Sequence, residues 1–111
     1  MRAIFIDSEN ETLENVELGD DPSEITSLLK CDLFDVVRVT AEDDLFVDDE
    51  GLLKVAEDTK FFTVRGGTPF AGNGLILGHT ESGDSAPTKL NLYMLGQSTE
   101  FLSLNEMKEG I

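Results

Sequence analysis

The sequence predicts a single α+β domain, residues 1–111, built on a mostly antiparallel sheet of five to seven strands with one or two short helices. Three observations support this fold class. The chain has 111 residues, a length typical of one domain, and 40% of them are apolar, which suffices for one core. Short β-branched and aromatic runs recur between clusters of turn formers. One segment, 22–30, instead carries apolar residues at helical spacing.

The first elements are a hairpin and a helix. The run RAIFI (2–6) is rich in β-branched and aromatic residues, DSENE supplies turn formers, and TLENVEL (12–18) alternates, so we predict two paired strands. The helix over 22–30 is predicted from its start signals. These are an N-cap residue, a proline at the first helical position and a capping-box acid, namely Asp21, Pro22 and Glu24.

The middle of the chain predicts a second hairpin and a glycine-rich loop. LFDVVRVT (33–40) is typical of a well-buried strand, and LFVD (45–48) follows an acidic turn, so the two should pair. LLKVAED is ambiguous and could form one helical turn, whereas KFFTV (60–64) is a strand by composition. RGGTPFAGNG (65–74) holds four of the ten glycines, which predicts a loop with unusual backbone angles.

The C-terminal third predicts a central strand and an ambiguous segment. LILGH (75–79) is apolar throughout, as expected of a strand covered on both faces. Asn91 could cap a short helix over 92–98, although KLNLYML also alternates like a strand. EFLSL (100–104) reads as the last strand. The predicted core consists of Ile4, Ile6, Ile25, Leu28, Leu29, Val37, Val39, Phe62, Leu75, Leu77 and Phe101.

Acidic residues are concentrated in the first half of the chain. The net charge is −15; residues 1–58 hold 18 Asp and Glu against 4 Lys and Arg, and residues 59–111 hold 5 against 4. Such a surface repels nucleic acid and anionic lipid, which argues against direct binding of either and favours basic proteins or cations as partners. The absence of a signal-like or membrane-length apolar run and the lone Cys31 predict a cytoplasmic protein.

The stretch AEDDLFVDDEGLLK (41–54) raises the question of a metal or catalytic site. An EF-hand loop with its glycine at Gly51 would begin at Phe46, which offers no oxygen ligand, so no metal site is predicted. Acid–base catalysis needs a desolvated carboxylate, whereas runs of acids in turns are usually exposed. The only histidine, His79, has Ser82 and Asp84 nearby in sequence, but one tight loop rarely holds a triad. We therefore predict no catalytic residue and no cofactor.

The glycine-rich loop suggests an alternative, anion-binding role. It is not a dinucleotide fingerprint, because GNGLILG opens a strand rather than a helix, and it lacks the GK[ST] of a Walker loop. Its backbone N–H groups could still meet an anion with help from Lys60 and the adjacent arginine. The residues of this alternative nucleotide or anion site are Arg65, Gly66, Gly67, Gly72 and Gly74.

A further pattern extends over most of the chain. VDDEGLLK, then FF, then P.AG.GLILG, and an acidic ESGDS loop resemble a family of small uncharacterised proteins of phages and integrated genetic elements, from RAIFID to the final FL. The resemblance implies an accessory protein of a mobile element, a class in which proteins that disarm host defences are frequent. It carries no assigned catalytic residues.

These observations favour a non-enzymatic protein that binds a basic host or phage protein, with mimicry of nucleic acid as one form of this. A domain of this length spans about 34 Å, and duplex DNA of that length carries about twenty phosphate charges, comparable with the chain's surplus. The simpler reading is that the acids only confer solubility. The predicted partner-binding face consists of Glu17, Asp20, Asp21, Glu24, Glu42, Asp43, Asp44, Asp48, Asp49 and Glu50.

Overall fold

The computed structural model describes residues 1–109 and arranges them in three layers: a helix, a large antiparallel sheet and a small antiparallel sheet. This confirms the α+β class. In chain order the elements are β1 (Arg2–Asp7), β2 (Thr12–Glu17), α1 (Ser23–Leu29), β3 (Phe34–Arg38), β4 (Asp43–Asp48), a 3₁₀ turn (Gly51–Lys54), β5 (Lys60–Val64), β6 (Phe70–Ala71), β7 (Gly74–His79), β8 (Ser85–Ala86), α2 (Leu92–Gln97), β9 (Thr99–Ser103) and α3 (Leu104–Glu109).

The large sheet has the strand order β2-β1-β7-β4-β3, with the short β8 paired to the end of β7. Both predicted hairpins form, β1 with β2 and β3 with β4. Strand β7 lies between β1 and β4, and Leu75 is opposite Phe5 on one side and Phe46 on the other. The apolar run LILGH is therefore a central strand, as predicted, because a strand covered on both faces has no polar side.

The small sheet, in the order β6-β5-β9, was not predicted as a separate layer. Its central strand β5 places Phe62 in a cluster with Ile4, Ile76 and Leu95, which fills the space between the two sheets. On the other face of the large sheet, α1 buries Ile25 and Leu29 against a second cluster formed by residues of β1, β4 and β7. Successive side chains of β1, β4 and β7 point to opposite faces of the large sheet, so each of these strands contributes to both clusters.

Most of the predicted core is buried. Seven of the eleven residues are buried, and three lie half-buried against the same clusters: Leu28, Val39 and Phe101. The exception is Val37, which is 36% exposed. Segment 33–40 is not the well-buried strand that its composition predicted, because β3 is an edge strand that pairs only with β4. Its aliphatic side chains therefore remain partly in contact with solvent.

The start of α1 differs from the prediction. Pro22 is the N-cap residue and the helix begins at Ser23, so the predicted helix starts one residue early. Asp21 accepts a hydrogen bond from the Ser23 backbone N–H, while Glu24 accepts one from Gly19 outside the helix. No capping box forms, because both carboxylates bind other donors. The helix ends at Lys30, whose backbone is left-handed with φ +54°.

The helix interpretation of the ambiguous C-terminal segment is confirmed. The Asn91 side chain accepts the Met94 backbone N–H and caps α2, and Leu95 packs between the sheets. The ambiguous LLKVAED contributes only a single 3₁₀ turn, and the predicted last strand is β9. Helix α3 and strand β8 were not predicted, and neither was β6, which lies within the segment 65–74 predicted as a loop. Within residues 1–109, no helix has both the length and the apolar character needed to cross a membrane.

Candidate functional site

The acidic stretch 42–50 is divided between the two ends of β4. Asp43 and Asp44 open this strand and Asp48 closes it. Each residue of an antiparallel strand adds about 3.4 Å, so Asp44 and Asp48 are separated by about 14 Å. The ten carboxylates predicted to form one face therefore belong to separate groups at opposite ends of the large sheet. Asp43 and Asp44 lie at the end of the large sheet where β1 starts and β7 ends.

At this first end, one carboxylate pairs with a lysine and another contacts a histidine. Glu42 forms an ion pair with Lys89, and both side chains are largely exposed. Asp44 Oδ2 lies 2.8 Å from His79 Nδ1, and both of these side chains are more than four-fifths buried. The histidine is the last residue of β7 and meets Asp44 of the neighbouring strand β4, a contact that their separation of 35 residues in sequence conceals.

Asp43 does not belong to a partner-facing surface, and its inclusion there is wrong. The residue is 2% exposed. Its carboxylate accepts hydrogen bonds from the Thr88 hydroxyl at 2.7 Å, the Lys89 backbone N–H at 3.0 Å and the Thr40 hydroxyl at 3.0 Å. A carboxylate can be buried only when such donors replace its lost water. Asp43 is therefore a structural residue that ties β4 to the segment before α2.

At the other end of β4, Asp48 is also engaged. One carboxylate oxygen accepts the Glu50 backbone N–H at 2.9 Å, and the other lies 2.8 Å from Lys54 Nζ. This hydrogen bond to Asp48 raises the pKa of Lys54 above its ordinary value. Asp49 and Glu50 are exposed, and neither side chain forms an ion pair with any of residues 1–109.

The remaining four carboxylates of the predicted face surround the start of α1. Hydrogen bonds from Ser23, first of all from its backbone N–H, lower the pKa of Asp21, so this group stays ionised in mild acid. Asp20 is exposed and forms no hydrogen bond with residues 1–109. The other two have internal partners: Glu17 binds the amino group of Met1, and Glu24 binds the backbone N–H of Gly19.

Two of these carboxylates border a cavity of about 240 Å³, which we call the acidic recess. Asp20 and Asp21 lie on one side, and Asp84, just before β8, lies on the other. The acidic recess is lined by neither lysine nor arginine; Met1 lines it, and its amino group is paired with Glu17. The wall also includes the apolar side chains of Leu18, Ile25 and Leu77. Sequence reasoning missed Asp84, because only the pairing of β8 with β7 brings the ESGDS loop to this place.

The first part of the glycine-rich loop is a tight turn. Arg65 and Gly66 both have left-handed backbones, with φ +54° and +72°, and the Gly67 N–H bonds the Val64 carbonyl at 3.0 Å. Glycine suits position 66 because a left-handed backbone is sterically costly for residues that have a Cβ atom, and two consecutive left-handed residues turn the chain sharply. The geometry of the turn accounts for these glycines without a ligand.

The second part of the loop serves packing. Gly74 begins β7, and a Cβ atom on it would lie 2.6 Å from the ring of the buried Phe62 and 3.0 Å from Leu45. Gly72 has φ +84° and faces a different cavity from the Arg65 turn. The five residues predicted as an anion cradle are therefore not brought together, since their glycines satisfy separate turns and contacts.

A second cavity, of about 250 Å³, lies where the loop meets the C-terminal end of α1. We call it the lysine recess, because Lys30, Lys54 and Lys60, three of the five lysines, line it. Its other lining residues are Ser8, Glu9, Leu29, Asp48, Gly51, Asp58, Thr59, Ala71, Gly72 and Asn73. The sequence singled out only Lys60 near the loop; the other two lysines come from distant segments, and no local pattern connects them.

The positions of His79 and Ser82 and the grouping of possible metal ligands test the sequence-based expectations on catalysis and metal binding. His79 contacts Asp44, whereas the Ser82 hydroxyl donates to Asp84 at 3.2 Å, so Ser82 and His79 do not form a nucleophile pair. Within residues 1–109, no three His, Cys, Asp or Glu side chains are grouped so as to hold a metal ion.

Comparison with known proteins identifies a family. A family model described as "Domain of unknown function (DUF3846)" matches residues 1–106. No curated protein and no solved structure matches the chain. The family model covers nearly all of the described residues, from β1 to within α3.

Proposed function

The chain belongs to the DUF3846 family, a family without an assigned function, and we propose that it is a non-enzymatic protein that binds a basic protein through an acidic surface. The resemblance to phage and integrated-element proteins suggests that the partner is a host or phage protein, met in the cytoplasm. Mimicry of nucleic acid is the form of this binding in which the partner is itself a nucleic-acid-binding protein.

The large uncompensated charge supports this proposal. Among residues 1–109, only four of the 23 carboxylates lie within 4.0 Å of a lysine, histidine or amino-terminal nitrogen. Exposed charges of one sign attract and steer partners of the opposite sign. The unpaired carboxylates therefore give the surface a field that attracts a basic partner.

The acidic recess is the observation that carries the proposal. It combines carboxylates from Asp20, Asp21 and Asp84 with apolar walls, and the cationic group beside it, the amino group of Met1, is already paired with Glu17. A lysine or arginine side chain has the complementary form, with an apolar stem and a charged end. Glu14 extends the same side of the sheet, because it lies opposite Phe5, whose ring packs under α1.

The revised binding surface is therefore smaller than the face predicted from sequence. It comprises Asp20, Asp21 and Asp84 at the recess, with Glu14 on the same face and Glu24 beside Gly19. Glu17 is three residues from Glu14 along β2, so its side chain lies on the opposite face and is not included. Asp48, Asp49 and Glu50 lie at the far end of β4 and do not share this surface. Their separation from the recess makes them a natural control for charge alone.

A charge-matched pair of variants tests the proposal. Asp20→Asn, Asp21→Asn and Asp84→Asn together remove three charges at the recess while preserving side-chain size. Asp49→Asn, Glu50→Gln and Glu57→Gln remove three charges from exposed positions elsewhere. The wild type and both variants are immobilised, challenged with cell lysate, and the retained proteins are identified; each candidate is then purified and its affinity measured by calorimetry at low and high salt.

We expect a basic protein that binds the wild type and the control equally, binds the recess variant roughly tenfold more weakly, and loses affinity steeply with salt. Competition of that protein by duplex DNA would identify the nucleic-acid mimic. Equal affinity of all three baits for every purified candidate would disprove the role of the acidic recess.

A further inference from the structure

The lysine recess contains polar groups that the fold itself does not use. The cavity is formed by six segments: the turn after β1, the end of α1, the end of β4, the 3₁₀ turn, the start of β5 and the turn before β7. Because these segments are far apart in sequence, between residues 8 and 73, the cavity exists only in the folded protein. Its volume of about 250 Å³ is below the range typical of drug-sized ligands, and so suits a smaller molecule.

Two of its three ammonium groups are free to bind an anion. Lys54 is held by Asp48 at 2.8 Å, but neither Lys30 nor Lys60 forms an ion pair with any of residues 1–109. Lys60 and Phe62 lie on the same face of β5. Phe62 packs against the large sheet, so the Lys60 side chain is also directed towards the large sheet, where it lines the cavity. In a chain of charge −15, a cavity lined by as many lysines as carboxylates, three of each, is a local exception.

Neutral donors and unpaired carboxylates surround these lysines. The Asn73 side-chain oxygen accepts the Ser8 backbone N–H at 2.9 Å, which leaves its amide N–H groups without a partner among residues 1–109. The Ser8 hydroxyl is committed to the Gly72 carbonyl and is completely buried, so it fixes this wall. Glu9 and Asp58 are exposed and accept no hydrogen bond from the described residues, so they can accept hydroxyl groups of a ligand.

We propose that the lysine recess binds a phosphate monoester of a sugar, either free or as part of a mononucleotide. A phosphate monoester carries a charge of about −1.5 to −2 near pH 7, which matches two unpaired ammonium groups. The Asn73 amide supplies a further donor to the phosphate, and the carboxylates of Glu9 and Asp58 accept the sugar hydroxyls. A simple carboxylate would leave one ammonium unpaired and these acceptors unused.

This inference is independent of the acidic recess. The acidic recess lies at the N-terminal end of α1, whereas the lysine recess lies at its C-terminal end. It also differs from the anion cradle predicted from the glycine loop, since of those five residues only Gly72 lines the lysine recess. The ligand contacts come from lysines that the sequence does not connect.

Amide chemical shifts measured by two-dimensional NMR during titration provide the test, because they detect millimolar binding and locate it. Ribose 5-phosphate, adenosine monophosphate, inorganic phosphate and ribose are added separately to the wild-type chain. The test variant is Lys30→Met with Lys60→Met, which keeps the aliphatic stems. The control is Lys89→Met with Lys108→Met, which removes two positive charges that do not line this cavity.

We expect saturable shifts for ribose 5-phosphate centred on Ser8, Gly72 and Asn73, about tenfold weaker binding of inorganic phosphate and no binding of ribose. Adenosine monophosphate should bind within about threefold of ribose 5-phosphate if the base lies outside the cavity. The test variant should lose roughly tenfold or more in affinity, and the control should bind like the wild type. No saturable shift with either phosphate ester, shifts centred elsewhere, or equal affinity of the test variant would overturn the proposal.

Discussion

The Thr88 hydroxyl donates a 2.7 Å hydrogen bond to the carboxylate of Asp43, 45 residues earlier in the chain, and both side chains are buried. This contact fastens the polar segment before α2 to the first residue of β4. It also explains how a chain with a large excess of carboxylates can bury one of them. The acid is surrounded by donors, and the burial penalty is offset by charge-assisted hydrogen bonds.

Substitution of Asp43 should strongly destabilise the protein. Asp43→Ala leaves the Thr88 hydroxyl and the Lys89 backbone N–H without their acceptor, and we expect the free energy of unfolding to fall by about 3 kcal/mol. Urea denaturation measures this change. Asp49→Ala, at an exposed position nearby in sequence, serves as the control and should change stability by less than about 0.5 kcal/mol. Equal losses in the two variants would show that Asp43 contributes nothing beyond its charge.

Two glycines should respond in opposite directions to alanine. Gly74→Ala places a Cβ atom 2.6 Å from the buried Phe62 ring, and we expect a loss of about 2 kcal/mol in stability from overpacking. Gly96→Ala lies in α2 with no atom within 4 Å of the new methyl, so a gain of up to about 1 kcal/mol is expected from helix propensity. Thermal unfolding of both variants decides this; a stable Gly74→Ala protein would contradict the packing argument.

Asp35 should protect the exposed edge of the large sheet. Leu33 and Val39 flank β3 and bond the neighbouring β4 segment: the Val39 N–H donates to the Asp43 carbonyl, and the Leu33 carbonyl accepts the Asp49 N–H. Val36 is three residues from each, so its N–H points outward, where the Asp35 carboxylate accepts it at 2.9 Å. Asp35→Ala uncaps this N–H beside an exposed valine, and we expect faster aggregation under agitation, followed by light scattering. Asp49→Ala removes the same charge elsewhere, and aggregation at the same rate in both variants would attribute the effect to charge alone.

Cys31 should react slowly with alkylating reagents at neutral pH. Desolvation raises its pKa above the ordinary value of 9.0, and the negative charge of Asp48 raises it further, so the reactive thiolate is scarce. The rate of iodoacetamide modification should therefore rise with a midpoint above that of the urea-unfolded chain. Asp48→Asn removes a charge that opposes the thiolate and should move the midpoint to lower pH. A midpoint unchanged by folding would refute the effect of burial.

Local patterns predicted most of the individual elements, because the signals lie within a few residues of one another. Alternation and turn formers identified both hairpins, and Asn91 identified α2 through the cap that it does form. The same reasoning failed for β3, since LFDVVRVT has the composition of a buried strand yet lies at an edge. Composition reports the preference of a segment for extended structure but contains no information about how many neighbours that strand will have.

The sequence by itself determined the α+β class, the central position of β7 and the acidity of the first half of the chain. Only the tertiary structure decided which carboxylates remain free, because that depends on donors supplied from distant segments: Asp43 meets Thr88, and Asp44 meets His79. Neighbouring acids along β4 were thereby separated, while Asp84 joined Asp20 and Asp21 across the sheet. Secondary structure follows from short-range periodicity, whereas a binding surface follows from the pairing of strands far apart in the chain.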